Sequence, residues 1–307
     1  INQEGIDLKL ILQKIKELIK KKEELRRKLF KELFKIYDPR YLERCKLKES
    51  YTERECLDNK SNVNTLQVLP DGTIVSGGWD EKIKIWKLSE ENKKYEETQV
   101  IKHGSIVNTL QVLPDSTIVS GGWGNKVKIW KWNEESRKYE ESEVIEHGSN
   151  VTIIQVLPDG TIVSGGADGK IKIWKWNEEN KKYEESEVIE HGSAVHTLQV
   201  LPDGTIVSGG GDKKIKIWKW NEESRKYKPE IVGEHYGYVN TLQVLPDGTI
   251  VSGGWDGKVK IWKWNEENKK YEESQVGKHG NTINTLQVLP DGTIVSGGED
   301  NKIKIWH

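Results

Sequence analysis

The sequence contains no methionine, two phenylalanines and two cysteines, Cys45 and Cys56. Two cysteines cannot build the disulfide framework of a small secreted domain, so a reducing, cytoplasmic setting is the expectation. No apolar run is long enough to cross a bilayer, and the lysine-broken opening lacks the apolar centre of a secretion signal. The net charge is only −1. It is unevenly placed: residues 1–50 carry 15 Lys/Arg against 9 Asp/Glu (+6), and the remainder 33 against 40 (−7). Also missing are a lone nucleophile with its base, a cluster of metal ligands and a phosphate-binding loop at a helix start. No enzyme activity, metal or cofactor is therefore expected.

What is abundant is tryptophan, with 13 residues, and repetition. Pro70, Pro114, Pro158, Pro202, Pro246 and Pro290 follow one another at intervals of 44 residues, as do Trp86, Trp130, Trp174, Trp218, Trp262 and Trp306. Within the copy Ala194–Trp218, Val195–Leu201 is apolar and β-prone, and Pro202-Asp203-Gly204 forms a turn in which proline presets φ and glycine takes positive φ. Thr205–Ser208 forms a second strand, and Gly209–Asp212 is expected to turn the chain again. Lys214–Trp220 alternates with a period of two, as a strand does. Asn221–Lys226 is a polar hairpin turn, and Tyr227–Val232 a fourth, more polar strand. A single meander of this kind cannot bury both faces, so neighbouring copies must stack. Stacked around an axis they leave only short edges. The expected fold is all-β, a six-bladed β-propeller of 44-residue repeats.

Residues 6–37 hold no proline or glycine and are rich in helix formers. A 4-3 spacing runs through Leu8, Ile11, Ile15, Leu18, Lys22, Leu25, Leu29, Glu32 and Ile36. A long amphipathic α-helix is expected, ended by Asp38-Pro39. Its stripe needs a cover: a second copy in a coiled coil, one end of the propeller, or a further domain, which a chain opening on Ile1 also suggests. Lys20–Lys22 and Arg26–Lys28 read as a solvated face, and neither nucleic acid nor membrane is an expected partner. Residues 1–50 thus form one unit and 51–307 the propeller. Tyr51 lies one period upstream of Tyr95, Tyr139, Tyr183, Tyr227 and Tyr271, while the sixth copy stops at His307 without a fourth strand. Tyr51–Leu57 is therefore expected to close the ring as the outer strand of the last blade.

Four copies carry the same polar set: His147, Ser164, Asp168, Trp174; His191, Ser208, Asp212, Trp218; His235, Ser252, Asp256, Trp262; and His279, Ser296, Asp300, Trp306. With the period, these residues make the copies resemble the WD-repeat β-propeller family over residues 51–307. The resemblance implies that each set is one buried hydrogen-bonded tetrad. The first copy has Asn59 in place of histidine, beside Ser76, Asp80 and Trp86. The second has His103, Ser120 and Trp130 but Gly124 in place of aspartate. The Trp-Asp pair that names the family is replaced by Trp-Lys or Trp-His. Serine, histidine and aspartate together invite a hydrolase reading. Recurrence in four equivalent places argues for a structural network instead, since a catalytic site is built once. The glycine pairs of Val-Ser-Gly-Gly lie between strands and are expected to be turn glycines.

Positions that differ between otherwise fixed copies mark where function lies. One set precedes the turn aspartate: Trp79, Trp123, Ala167, Gly211, Trp255 and Glu299. Two others flank the start of the first strand: Asn62, Ile106, Asn150, Ala194, Tyr238 and Thr282, then Asn64, Asn108, Thr152, His196, Asn240 and Asn284. All are expected on one rim, which the resemblance implies is the partner-binding face. Trp79, Trp123, Trp255, Tyr238, Glu299, Ile106 and His196 are the candidate contacts for a protein or peptide. A lectin is the alternative, since tryptophans also stack on sugars.

Overall fold

The computed structural model describes residues 56–306, apart from Pro158, Pro202, Pro290 and Asp291. The helix expected over 6–37 lies outside them, as do residues 51–55 of the expected closing strand. Cys56 and Leu57 are described and are not in a strand. The described residues hold no helix.

They form six antiparallel sheets, five of four strands and a last of three. In the first blade β1 (Val63–Val68), β2 (Ile74–Gly78), β3 (Lys82–Leu88) and β4 (Tyr95–Lys102) pair in sequence order. The other blades repeat this meander, and the sixth ends on Ile303–Trp306. First strands of consecutive blades pack on one another, whereas fourth strands scarcely meet. The first strands are therefore innermost, the fourth strands fan outward, and the fold is a six-bladed β-propeller.

The turn, Pro-Asp-Gly in five copies and Pro-Asp-Ser in the second, is held by the same backbone bond throughout. In blade one, Gly72 N–H donates to Leu69 O at 2.9 Å and Leu69 N–H to Thr73 O at 2.8 Å. The Asp71 carboxylate accepts from Thr73 N–H at 2.9 Å. Gly72 sits at φ 87°, and in blade two Ser116 is forced to φ 67°, a region that favours glycine.

The Val-Ser-Gly-Gly glycines are not turn glycines. Gly209 pairs with Thr197 and Gly210 with Val195, so both lie within the second strand, which runs Ile206–Gly210. A Cβ on Gly209 would come 2.6 Å from Val239 Cγ1 of the next blade. Close approach of the neighbouring sheet excludes a side chain there.

Five apolar clusters fill the junctions between consecutive blades. The cluster between blades three and four joins Val163, Ile171, Ile173 and Ile189 to Val195, Leu198, Ile206 and Trp218. Val163, Ile171 and Ile173, on the second and third strands of blade three, face the inner strand of the following blade, while Ile162 faces the preceding one. Each of blades two to five thus buries its two faces against different neighbours.

Candidate functional site

The rim is built from the loops before the first strand and after the second. Backbone bonds set it identically in every blade. The amide of each turn residue donates to the carbonyl just ahead of the first strand: Trp79 to Asn62 at 3.0 Å, Trp123 to Ile106 at 3.1 Å, and Trp255 to Tyr238 at 2.9 Å. Ala167, Gly211 and Glu299 make the same bond to Asn150, Ala194 and Thr282, each at 2.9 Å. Two of the three variable sets are therefore paired, and their common bond makes no demand on the side chain.

Side chains at these positions stand in solvent. Trp79, Trp123 and Trp255 are 56%, 56% and 57% exposed. The Trp255 ring lies 4.6 Å from Tyr238, and the Tyr238 ring meets His196 of blade four edge-on at 5.5 Å. These three rings form one aromatic ladder across two blades. Burial holds the His196 imidazole below its ordinary pKa, partly offset by a hydrogen bond with Asn240. Trp79 stands apart, its indole N–H donating to Asn64 Oδ1 at 3.1 Å. Ile106 is half-buried beside Trp123.

The third variable set has a structural task as well. Asn64, Asn108 and Asn240 donate their amide N–H to Val107, Val151 and Ile283 carbonyls of the next blade, at 3.0–3.1 Å. Thr152 donates to Val195 O in the same way. These residues strap blades together, so their variation does not by itself mark a ligand surface.

Tyr236 was not singled out from the sequence. It is 79% exposed, in the loop ahead of the fifth blade's inner strand, with Lys258 Nζ 4.8 Å from its ring centre. The signal was present, since His-Tyr-Gly-Tyr stands where four other copies have His-Gly. Other exposed indoles sit elsewhere: Trp176, Trp220 and Trp264, in the outer half of the third strands, lie edge-on to Tyr183, Tyr227 and Tyr271 at 5.3–5.4 Å. That packing recurs from blade to blade and belongs to the scaffold.

Below the rim lie the polar sets. In all six blades the indole N–H donates to the serine hydroxyl at 2.7–2.9 Å: Trp86 to Ser76, Trp130 to Ser120, Trp174 to Ser164, Trp218 to Ser208, Trp262 to Ser252 and Trp306 to Ser296. Blades five and six complete the chain. His235 Nδ1 bonds Asp256 Oδ1 at 3.0 Å and Nε2 bonds Ser252 Oγ at 2.7 Å. His279 bonds Asp300 at 3.1 Å and Ser296 at 2.7 Å in the same orientation. In blade four the ring is turned, with Nδ1 3.0 Å from Ser208 Oγ and Nε2 3.3 Å from Asp212 Oδ1. In blade three His147 has no hydrogen bond at either ring nitrogen. Where blade one has no histidine, Ser76 donates to Asn59 Oδ1 at 2.9 Å. Without an aspartate in blade two, His103 Nδ1 turns to Ser105.

A lysine belongs to this network and sequence reasoning overlooked it. Lys84, Lys216 and Lys260 donate to the backbone carbonyls of Asn59, His191 and Glu234, at or next to the histidine position. Lys84 and Lys216 also pair with Asp80 and Asp212, at 3.0 and 2.6 Å. Burial lowers the pKa of His103, His147, His191 and His235, to about 4 for His191. For Asp300 the Gly280 N–H comes first among the groups that hold its pKa down at about 2. Each serine hydroxyl is engaged by an indole, and the imidazoles are buried. This is the chemistry of a structural tie rather than of an activated nucleophile. Among the described residues no group of His, Cys, Asp and Glu side chains is arranged to hold a metal ion.

The family profile "WD domain, G-beta repeat" matches six segments, residues 52–87, 95–131, 140–175, 184–219, 228–263 and 272–307. The chain belongs to the WD-repeat family. WD propellers serve generally as protein-interaction scaffolds. The first WD match opens at residue 52, in phase with those opening at 140, 184, 228 and 272. No curated protein matches the chain.

Proposed function

We propose that this WD propeller is a non-catalytic scaffold that binds a protein or peptide on its rim. The observation that carries the reading is the contrast between backbone and side chain at one turn position. All six blades make the same amide-to-carbonyl bond there, and Ala167, Gly211 and Glu299 suffice for it, yet three copies hold indoles more than half exposed. Apolar surface kept in water without a folding role is best explained by a ligand that covers it. Trp79 and Trp123 would form one anchor on blades one and two. Trp255, Tyr238 and His196 would form the other, with Ile106 and Glu299 as neighbours. Residues 6–37 would join the scaffold to a second copy or to an effector.

The test is a peptide-display selection against the intact chain and against the variant Trp79→Ala, Trp123→Ala, Trp255→Ala. Aromatic anchors can each contribute about 2 kcal/mol or more to binding. The expected result is loss of the selected peptides with an unchanged melting temperature. Equal binding by the variant, or binding confined to a glycan array, would overturn the proposal.

A further inference from the structure

Blade two lacks a carboxylate at a place where the other five blades have one. Its rim loops, residues 102–106 and 122–126, hold Gly124 at the turn-aspartate position and no acidic residue. The five aspartates show what that place offers an anion. Each accepts from the amide two residues on: Asp80 from Lys82 at 3.3 Å, Asp168, Asp212 and Asp256 from Lys170, Lys214 and Lys258 at 3.1 Å, and Asp300 from Lys302 at 3.2 Å. In blades five and six the carboxylate also takes the loop amide of Tyr236 or Gly280, at 3.0 and 2.9 Å, and bonds the imidazole Nδ1. In blades one and four a lysine ammonium joins it.

Blade two has the counterparts of these donors in Lys126 N–H, Gly104 N–H, His103 Nδ1 and Lys128 Nζ. Three of them have turned elsewhere. His103 Nδ1 lies 3.0 Å from Ser105 O and 3.1 Å from Ser105 Oγ. Gly104 N–H reaches Glu81 O at 3.3 Å, and Lys128 Nζ pairs with Glu141 at 2.8 Å. His103 is 2% exposed, yet its Nε2 has no hydrogen-bond partner. In blades five and six the same nitrogen bonds the serine at 2.7 Å. A buried nitrogen without a partner is costly.

The place is also within reach of a ligand. A Cβ on Gly124 would meet only Ser105, 2.7 Å from Oγ and 3.2 Å from Cβ. Blades three and four carry the same loop serine, Ser149 and Ser193, together with an aspartate, so this loop accommodates both groups. The side chains of Asp80 and Asp212 are 18% and 20% exposed, which shows that the position opens on the rim. Lys102 and Lys126 give the loops positive charge, Lys126 sharing its own with Glu146 at 3.2 Å.

We propose that blade two binds a carboxylate of a partner peptide, which completes the network that Gly124 leaves open. The carboxylate accepts from Lys126 N–H, Gly104 N–H and His103 Nδ1, as Asp256 does from Lys258, Tyr236 and His235. The imidazole then holds its proton on Nδ1, and Nε2 accepts from Ser120 as its counterpart does in blade five. Trp123, next to Gly124 in the chain, packs on the residue that bears the carboxylate. For that contact the proposal rests on the rim reading above, and it gives the ligand of blades one and two an acidic group.

The test titrates the full chain with sodium acetate, against sodium chloride at matched ionic strength, and follows the His103 ring by NMR. The parent should show a saturable acetate shift, and Ser105→Ala a tighter one, since the competing hydroxyl is gone. Gly124→Asp, the residue five copies use, should show none, because it supplies the carboxylate from within. No saturable shift in either the parent or Ser105→Ala, or an equal shift in Gly124→Asp, overturns the proposal. Peptides selected on the parent should carry a carboxylate and bind Gly124→Asp about tenfold or more weakly. Amidating the peptide C terminus, or replacing its Asp and Glu by Asn and Gln, tells which carboxylate enters. Peptides that bind both proteins equally overturn this site and leave the rim reading standing. An acetate shift with no selectable peptide upholds the site and removes the rim partner.

Discussion

Lowering the pH should weaken the propeller well before its carboxylates titrate, and His191 gives the magnitude. Its imidazole is enclosed, 3.0 Å from Ser208 Oγ and 3.3 Å from Asp212 Oδ1. Burial dominates and disfavours the imidazolium; Asp212 draws the proton back, and Lys216, 2.6 Å from Asp212, opposes it. The net result is a folded pKa of about 4 against 6.5 in the unfolded chain. Because the folded value is the lower one, the unfolded chain takes up the proton first as pH falls. The contribution is therefore complete above pH 6.5 and is lost as the pH falls towards 4. Linkage makes the loss about 2 kcal/mol by pH 5 and about 3 kcal/mol by pH 4 for this group alone. His103, His147 and His235 are lowered by burial too and add in the same direction. Asp212, Asp256 and Asp300 are all held below the ordinary 3.8, so their contribution is lost only at lower pH and leaves the window from 6.5 to 5 to the histidines. The assay is urea unfolding of the parent and of His191→Asn at pH 7.5, 6 and 5. Asparagine is the residue the first copy uses at this place, accepting from Ser76 at 2.9 Å. The parent should lose stability more steeply, by the His191 share. Parallel curves, or an NMR titration placing His191 near 6.5, would refute the reasoning.

Two further substitutions test the interior. Ser252→Ala strips a partner from both Trp262 and His235, while Ser164→Ala strips one only from Trp174, because His147 makes no such bond. At roughly 1–3 kcal/mol per buried group left unsatisfied, chemical denaturation should show the first costing about twice the second. Equal losses would mean that the His147 ring engages Ser164 in solution. Ser116→Gly relieves a non-glycine residue at φ 67° in a turn where other copies have glycine. It should raise stability by about 0.5–1 kcal/mol after glycine's own entropy cost. A drop in the unfolding midpoint would show that the turn is not strained.

The 44-residue period and the four-strand meander were legible in the chain, because each depends on local turn chemistry and on one neighbour of nearly identical sequence, whereas the tryptophan–serine bond was an implication of the family resemblance. The rim pairs were legible as variable positions for the same reason. A turn that needs only backbone bonds leaves its side chain free to differ. The assignment of the Val-Ser-Gly-Gly glycines to turns failed because glycine serves equally where φ is positive and where another sheet comes close. Only the three-dimensional neighbours separate the two cases, and Val239 against Gly209 decides for the second.

Other features have no signature in one dimension. His147 and His191 stand in matching segments, yet one imidazole is unbonded and the other faces serine and aspartate. The variable Asn64, Asn108 and Thr152 are inter-blade straps because strand stacking brings them to the next blade's carbonyls, 43 residues away. Val63 and Val107 occupy the same position in sequence-identical strands, but one is half exposed and the other buried. A repeat encodes the two faces it offers. Whether each face is covered depends on what stands beside it, and for the first and last blades only the tertiary structure decides that.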